Sequence, residues 1–143
     1  MNKNQYDVFI SHASADKISY VDKLASAIKD VGLSVFYDQE SIEWGDSIKE
    51  CINNGLSSCS RAVVVISENY FGREWTEYEI ETLLWRQDLE GKKLIMPILH
   101  GVSKRQLVAH YPELSDIKFK YSKNNSCEKL ASILYRDIVS NGG

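Results

Sequence analysis

A chain of 143 residues, 43% apolar and 26% charged, has the size and composition of one soluble globular domain with material for a continuous core. Its net charge of −3 is spread along the sequence. There is no dense Lys/Arg stripe, Lys118-Phe119-Lys120-Tyr121 being too short to count as one, and nucleic-acid binding is not expected.

The N-terminus, Met1 to Gln5, is polar and has no signal-peptide core. Tyr6 to Ile10 reads as a first strand. Lys17 to Val31 reads as a helix with Ile18, Val21, Leu24, Ala25 and Ile28 on one face, Asp16 as N-cap and Gly32 as terminator. Leu33 to Tyr37 is a second strand, and a polar loop from Asp38 to Gly45 leads to a helix carrying Ile48, Cys51, Ile52 and Leu56. Asp46 or Ser47 would cap that helix. The apolar run Ala62 to Ile66 is a buried parallel strand, followed by a helix over Glu74 to Gln87. Leu94 to Leu99 is a fourth strand whose Pro97 marks an end or an edge. A short helix near Lys104 to Ala109, a weak fifth strand near Ile117 to Phe119 and a closing helix over Cys127 to Ile138 complete the pattern. No repeat or low-complexity tract interrupts it. The chain is expected to be a single domain, with its core over about residues 6–139, and Asn141-Gly142-Gly143 reads as a linker start, as in one module of a longer protein.

Strict strand–helix alternation implies right-handed crossovers and a parallel sheet covered on both faces. Five such units fit a flavodoxin-like α/β three-layer sandwich of strand order 2-1-3-4-5, with a switch point between the first and third strands. Three loops would converge there: Ser11 to Ser14, Asp38 to Gly45 and Ser67 to Trp75. Cys51, Cys59, Cys127 and the three histidines lack disulfide or metal spacing. No metal is expected, and a reducing cytoplasm fits. No apolar run nears the ~18 residues of a membrane span.

Trp75 and Glu79 are four residues apart, about 40° around a helix axis, and point into one space. Ile80, Leu83 and Leu84 define the core-facing stripe, and Glu79 stacks beside it over Leu83. Glu74, Glu77 and Glu81 lie further round as solvated charges near the helix N-terminus. Half-sheltering would raise the pKa of Glu79, as expected of a working carboxylate. Ser11 and His12 leave the first strand at the cleft mouth, where His12 is read as a positioning group and not a base. Trp44, on a polar loop beside Gly45, suggests a lid or a protein contact.

These segments, in this order, resemble the Toll/interleukin-1 receptor (TIR) domain family from Tyr6 to about Ile138. Tyr6-Asp7-Val8-Phe9-Ile10-Ser11-His12 looks like its first box, and Phe36-Tyr37-Asp38 with Ile42, Gly45 and Ile48 like its second. Ser60-Arg61, Ser67-Glu68-Asn69-Tyr70 and Trp75-Thr76-Glu77-Tyr78-Glu79 are similar to the bacterial and plant branches. The resemblance implies an NAD⁺ glycohydrolase or ADP-ribosyl cyclase with Glu79 catalytic, NAD⁺ as substrate and no cofactor. It further implies Ser11, His12, Asp38 and Trp75 as substrate contacts, self-association with Trp44 as a contact, and a role in bacterial antiphage defence. The family's Phe-Trp third box is absent, with Phe119-Lys120-Tyr121 in its neighbourhood. Leu99 or His100 stands where some cyclising relatives have an aromatic after Pro97. A non-catalytic TIR–TIR scaffold is the alternative. A phosphoacceptor receiver is disfavoured, because the first strand ends in Ser11-His12 and not in paired acids.

Overall fold

The computed structural model describes residues 6–37, 44–47, 50, 54, 58–71, 74–91 and 93–140, leaving aside the side chains of 74–79. Five parallel strands form one sheet in the order β2-β1-β3-β4-β5, with β1 Tyr6–Ser11, β2 Val35–Phe36, β3 Cys59–Ile66, β4 Ile95–Leu99 and β5 Lys120–Tyr121. The helices among the described residues include α1 Asp22–Asp30, α2 Glu74–Glu90, α3 Lys104–His110 and α4 Cys127–Ser140. The expected helix through Ile48, Cys51, Ile52 and Leu56 falls largely outside the described residues, although Ser47 Oγ accepts the Glu50 N–H at 3.2 Å, a cap-type bond.

Period-two alternation sorts the strand residues into two cores. Phe9, Ala62, Val64, Ile66, Ile95 and Leu99 face Ile80 and Leu83 of α2 and Leu107 of α3. Val8, Ile10, Val63, Val65 and Ile98 face Leu24 and Ile28 of α1 and Leu130, Leu134 and Ile138 of α4. β3 is buried along its whole length, as its near-continuous Ala/Val/Ile run requires of a central parallel strand. Pro97 lies inside β4. His100 donates to Ile66 O on the β3 side, so by alternation the N–H that Pro97 lacks would face β5. That strand pairs only opposite Ile98 and Leu99, and no ladder bond is lost.

The first helix departs from its expected form. A 3-10 turn at Ser14–Asp16 and a π turn at Lys17–Val21 precede α1. The π turn adds a residue to the repeat and rotates Ile18 off the stripe of Val21, Leu24, Ala25 and Ile28. Ile18 is 82% exposed while Val21 and Leu24 are fully buried. Asp16 makes no side-chain cap bond, because its carboxylate is turned inward. Gly32 does terminate the helix: at φ +100 it donates to Lys29 O while Leu33 donates to Ile28 O, the double closure of a Schellman motif. β5 begins three residues later than expected. Leu114 N–H bonds Tyr111 O and Ile117 N–H bonds Leu114 O, so turns occupy this stretch and the chain reaches the sheet only at Lys120.

The foot of β3 carries a largely buried ion pair. Arg61 Nε donates to Asp137 Oδ2 at 2.7 Å and its Nη1 to Ser60 O at 2.8 Å. Lys93 Nζ reaches Asp137 Oδ1 at 3.1 Å. Burial works to raise the Asp137 pKa, but hydrogen bonds and charge from Arg61 and Lys93 outweigh it and hold the carboxyl below its usual range.

Candidate functional site

β1 and β3 are neighbours, while the chain leaves β1 for β2 on one side and β3 for β4 on the other. Their carboxyl ends therefore form the switch point of the sheet, the place where ligands bind in open α/β folds. Ser11 closes β1 opposite Val64. It is 1% exposed, and its hydroxyl shares a 2.6 Å hydrogen bond with that of the fully buried Tyr70.

His12 follows, half-buried, with Nδ1 3.2 Å from Ile10 O. A neutral imidazole donates there from Nδ1–H, which leaves Nε2 as an acceptor. Burial pushes its pKa down, against the Ile10 carbonyl and the Asp16 charge, which favour the cation. The ring lies 6.0 Å from that of Tyr37. Tyr37 donates its hydroxyl to Asp22 Oδ1 at 3.0 Å, and Lys17 bridges to the same carboxylate at 3.3 Å. The Tyr37 bond is the main reason that the Asp22 pKa is lowered. Lys17 and Lys29 place their ammonium groups 5.7 and 5.6 Å from the Tyr37 ring centre. An aromatic ring framed by lysines thus borders the switch point at the head of β2.

The loop leaving β3 is tied on two sides. Ser67 Oγ donates to Asp16 Oδ2, Asn69 Nδ2 donates to Asp16 Oδ1 at 3.0 Å, and Asn69 N–H closes on Ser67 Oγ at 3.1 Å. On the other side Gln106 Nε2 donates to Glu68 Oε2 at 2.8 Å, while Gln106 also completes the capping box of α3 with Ser103. From this loop the chain enters α2, whose later turns are fixed by Ile80 and Leu83 in the core. Gln87 Oε1 accepts the N–H groups of Leu94 and Ile95 at 3.0 Å each.

The structure therefore brings Ser11 and His12 together at one strand end. Trp75 and Glu79 belong to α2, but their side chains lie outside the described set, as does all of Asp38. Trp44 stands fully exposed between β2 and β3, next to Gly45 at φ +97. Sequence reading did not foresee the contacts of Asp16, Tyr37 and Tyr70 at this end of the sheet. A Ser-x-Asn-Tyr run directly after a buried strand was the available signal for Tyr70. Asp16 looked like an ordinary cap. Among the described residues no His/Cys/Asp/Glu group could hold a metal ion, and no helix is long and apolar enough to cross a membrane.

The family model of the TIR domain matches residues 8–134. The 2' cyclic ADP-D-ribose synthase AbTIR of Acinetobacter baumannii is 36% identical, over 96% of this chain and 50% of its own length. BtTIR of Bacteroides thetaiotaomicron, also a 2' cyclic ADP-D-ribose synthase, is 38% identical over 91% of this chain and 44% of its own. The NAD(+) hydrolase TcpC of Escherichia coli is 32% identical over 94% and 45%. The chain spans about half the length of these curated relatives. Among solved structures, the TIR domains of the activated Roq1 resistosome superpose with a TM-score of 0.70 at 20% identity, covering 97% of this chain and 100% of theirs. The TIR-STING receptor of C. gigas superposes with 0.73 at 14%, covering 94% and 40%. At those identities the likeness is one of fold.

Proposed function

This chain belongs to the TIR domain family, and from that premise we propose that it cleaves the bond between nicotinamide and ribose in NAD⁺, with Glu79 as the catalytic carboxylate. The observation that carries the reading is the similarity, over 91–96% of this chain at 32–38% identity, to relatives named as NAD⁺ hydrolases or cyclic ADP-ribose synthases.

The chemistry asks little of the protein. Nicotinamide leaves NAD⁺ as a neutral molecule from a cationic ring, so no acid is needed to protonate it. The transition state is oxocarbenium-like, and a single anion stabilises the charge developing on the sugar. Glu79, on the helix after the β3 exit loop, would be that anion, and Trp75 would pack against a ring or brace the carboxylate. His12, neutral and with Nε2 as its acceptor, suits a ribose hydroxyl better than a phosphate. Ser11 and Asp38 would complete the contacts to ribose or phosphate. Water attack gives ADP-ribose; attack by adenine or a ribose hydroxyl gives a cyclic isomer. Trp44 would help complete the cleft of a neighbouring copy. The proposed setting is bacterial antiphage defence, through NAD⁺ depletion or a nucleotide signal; loss of protection from plaque formation by Glu79→Gln would support it, and full protection by that variant would refute it.

A second reading, a non-catalytic self-associating module, is favoured by the full exposure of Trp44. Purified protein incubated with NAD⁺ across a wide concentration range decides between the two. Nicotinamide release supports cleavage, and chromatography then identifies the linear or cyclic product. Its absence at every concentration, including the highest at which the chain assembles, leaves the scaffold.

A further inference from the structure

Asp16 is a buried carboxylate for which the cleavage chemistry has no use. It is 5% exposed, and its two oxygens accept from neutral donors, the Ser67 hydroxyl and the Asn69 amide. Ser67 is 4% exposed and takes the Asn69 N–H on the same oxygen that donates to Asp16. A second tie, Ser11 to Tyr70 at 2.6 Å, joins the same two segments. An apolar side chain would fill such a space without the desolvation that a carboxylate costs. What a fully satisfied buried network offers instead is one arrangement of the segments it joins. Here those segments are the turn after β1 and the exit loop of β3, which precedes α2 in the chain. Of the described loop residues, Ser67 and Asn69 are tied to Asp16, and Tyr70 and Phe71 pack at the core.

We infer that Asp16 is a positioning residue: by gripping Ser67 and Asn69 it fixes the β3 exit loop, the segment that leads into the helix bearing the proposed catalytic Glu79. The inference rests on the NAD⁺-cleaving reading above. A displaced carboxylate still admits the substrate but meets the ribose badly, so turnover falls while substrate affinity holds.

The test exploits the donor–acceptor pattern. Asp16→Asn removes the charge and one of the two acceptor oxygens, so the Ser67 hydroxyl or the Asn69 amide must turn round to accept. Asn69→Asp sets two carboxylates against each other. The double variant Asp16→Asn/Asn69→Asp restores one donor facing one acceptor and keeps a single buried charge. With rates normalised to folded protein, each single variant is expected to lose about tenfold or more in kcat for nicotinamide release, with KM for NAD⁺ within about twofold. The double variant is expected to recover to within about threefold of wild type. Amide hydrogen exchange across residues 67–80 should speed up about tenfold in the single variants and return in the double. Single variants with unchanged exchange and turnover, or a double variant no better than the singles, would overturn the inference. If wild type releases no nicotinamide at any concentration, the reaction assignment fails, and the exchange pattern alone decides whether Asp16 grips the loop.

Discussion

Removing Asp137 should be far more harmful than its position in the last helix suggests, because it would strand Arg61. Residue Arg61 is 5% exposed on the central strand, and its bonds are to Asp137 and the Ser60 carbonyl. In Asp137→Ala the guanidinium keeps its burial and loses its counter-charge, a situation that costs about 3–5 kcal/mol. For 143 residues the unfolding entropy near the midpoint is about 0.3 kcal/mol per degree, so about 3 kcal/mol lowers Tm by about 10 °C. Lys93 touches the same carboxylate, but its side chain is 58% exposed, and Lys93→Ala should cost less than about 1 kcal/mol. Replacing both members, Arg61→Met with Asp137→Leu, should return to within about 1–2 kcal/mol of wild type, since no buried charge remains. The lowered Asp137 pKa also fixes the pH dependence. Its contribution is complete above the unfolded carboxyl range and disappears as pH falls through the depressed folded value. Chemical denaturation of the four proteins at neutral pH, and of the wild type down an acid series, measures these effects. An Asp137→Ala variant no weaker than Lys93→Ala would refute the reasoning.

Leu24 is fully buried and Ile18 is 82% exposed, so Leu24→Ala should cost about 2–5 kcal/mol and Ile18→Ser no more than about 0.5 in urea unfolding. His12 has a pKa below its ordinary 6.5, so the unfolded chain binds the proton first as pH drops; stability should be full above that value and decline below it, and His12→Asn should flatten that part of the Tm–pH curve. If Trp44 bridges copies, specific nicotinamide release should rise with protein concentration and Trp44→Ala should abolish the rise; a wild type with constant specific activity over a long dilution series contradicts this.

The sheet was legible because the strands announce themselves. Ala62 to Ile66 is apolar without interruption, short and rich in β-branched residues, which suits a strand buried on both faces. The alternation of runs then left few topologies. Local geometry was less legible. Ile18 has the right spacing for an α-helical stripe, and nothing in the residues signals the π turn that rotates it out. β5 was displaced because turns across 111–117 take up N–H groups that a strand would need. The place of Ser11 and His12 at the carboxyl end of β1 was legible because the apolar run of the strand stops there. Asp16 was misread because a cap and a buried tie use the same residue type, and only the fold shows which donors, Ser67 and Asn69, come within its reach. The Ser67-Glu68-Asn69-Tyr70 run was singled out for its position, while its tie to a turn some fifty residues earlier depends on strands β1 and β3 being neighbours.

The central proposal is that one carboxylate, Glu79, stabilises the charge that develops on the sugar as nicotinamide leaves. Its most direct test compares nicotinamide release by wild type and Glu79→Gln at equal concentration, after matched melting curves and matched oligomer distributions show the two to be equally folded and assembled. The account predicts a loss of about 100-fold or more in kcat for the variant; equal turnover by the two proteins would contradict it.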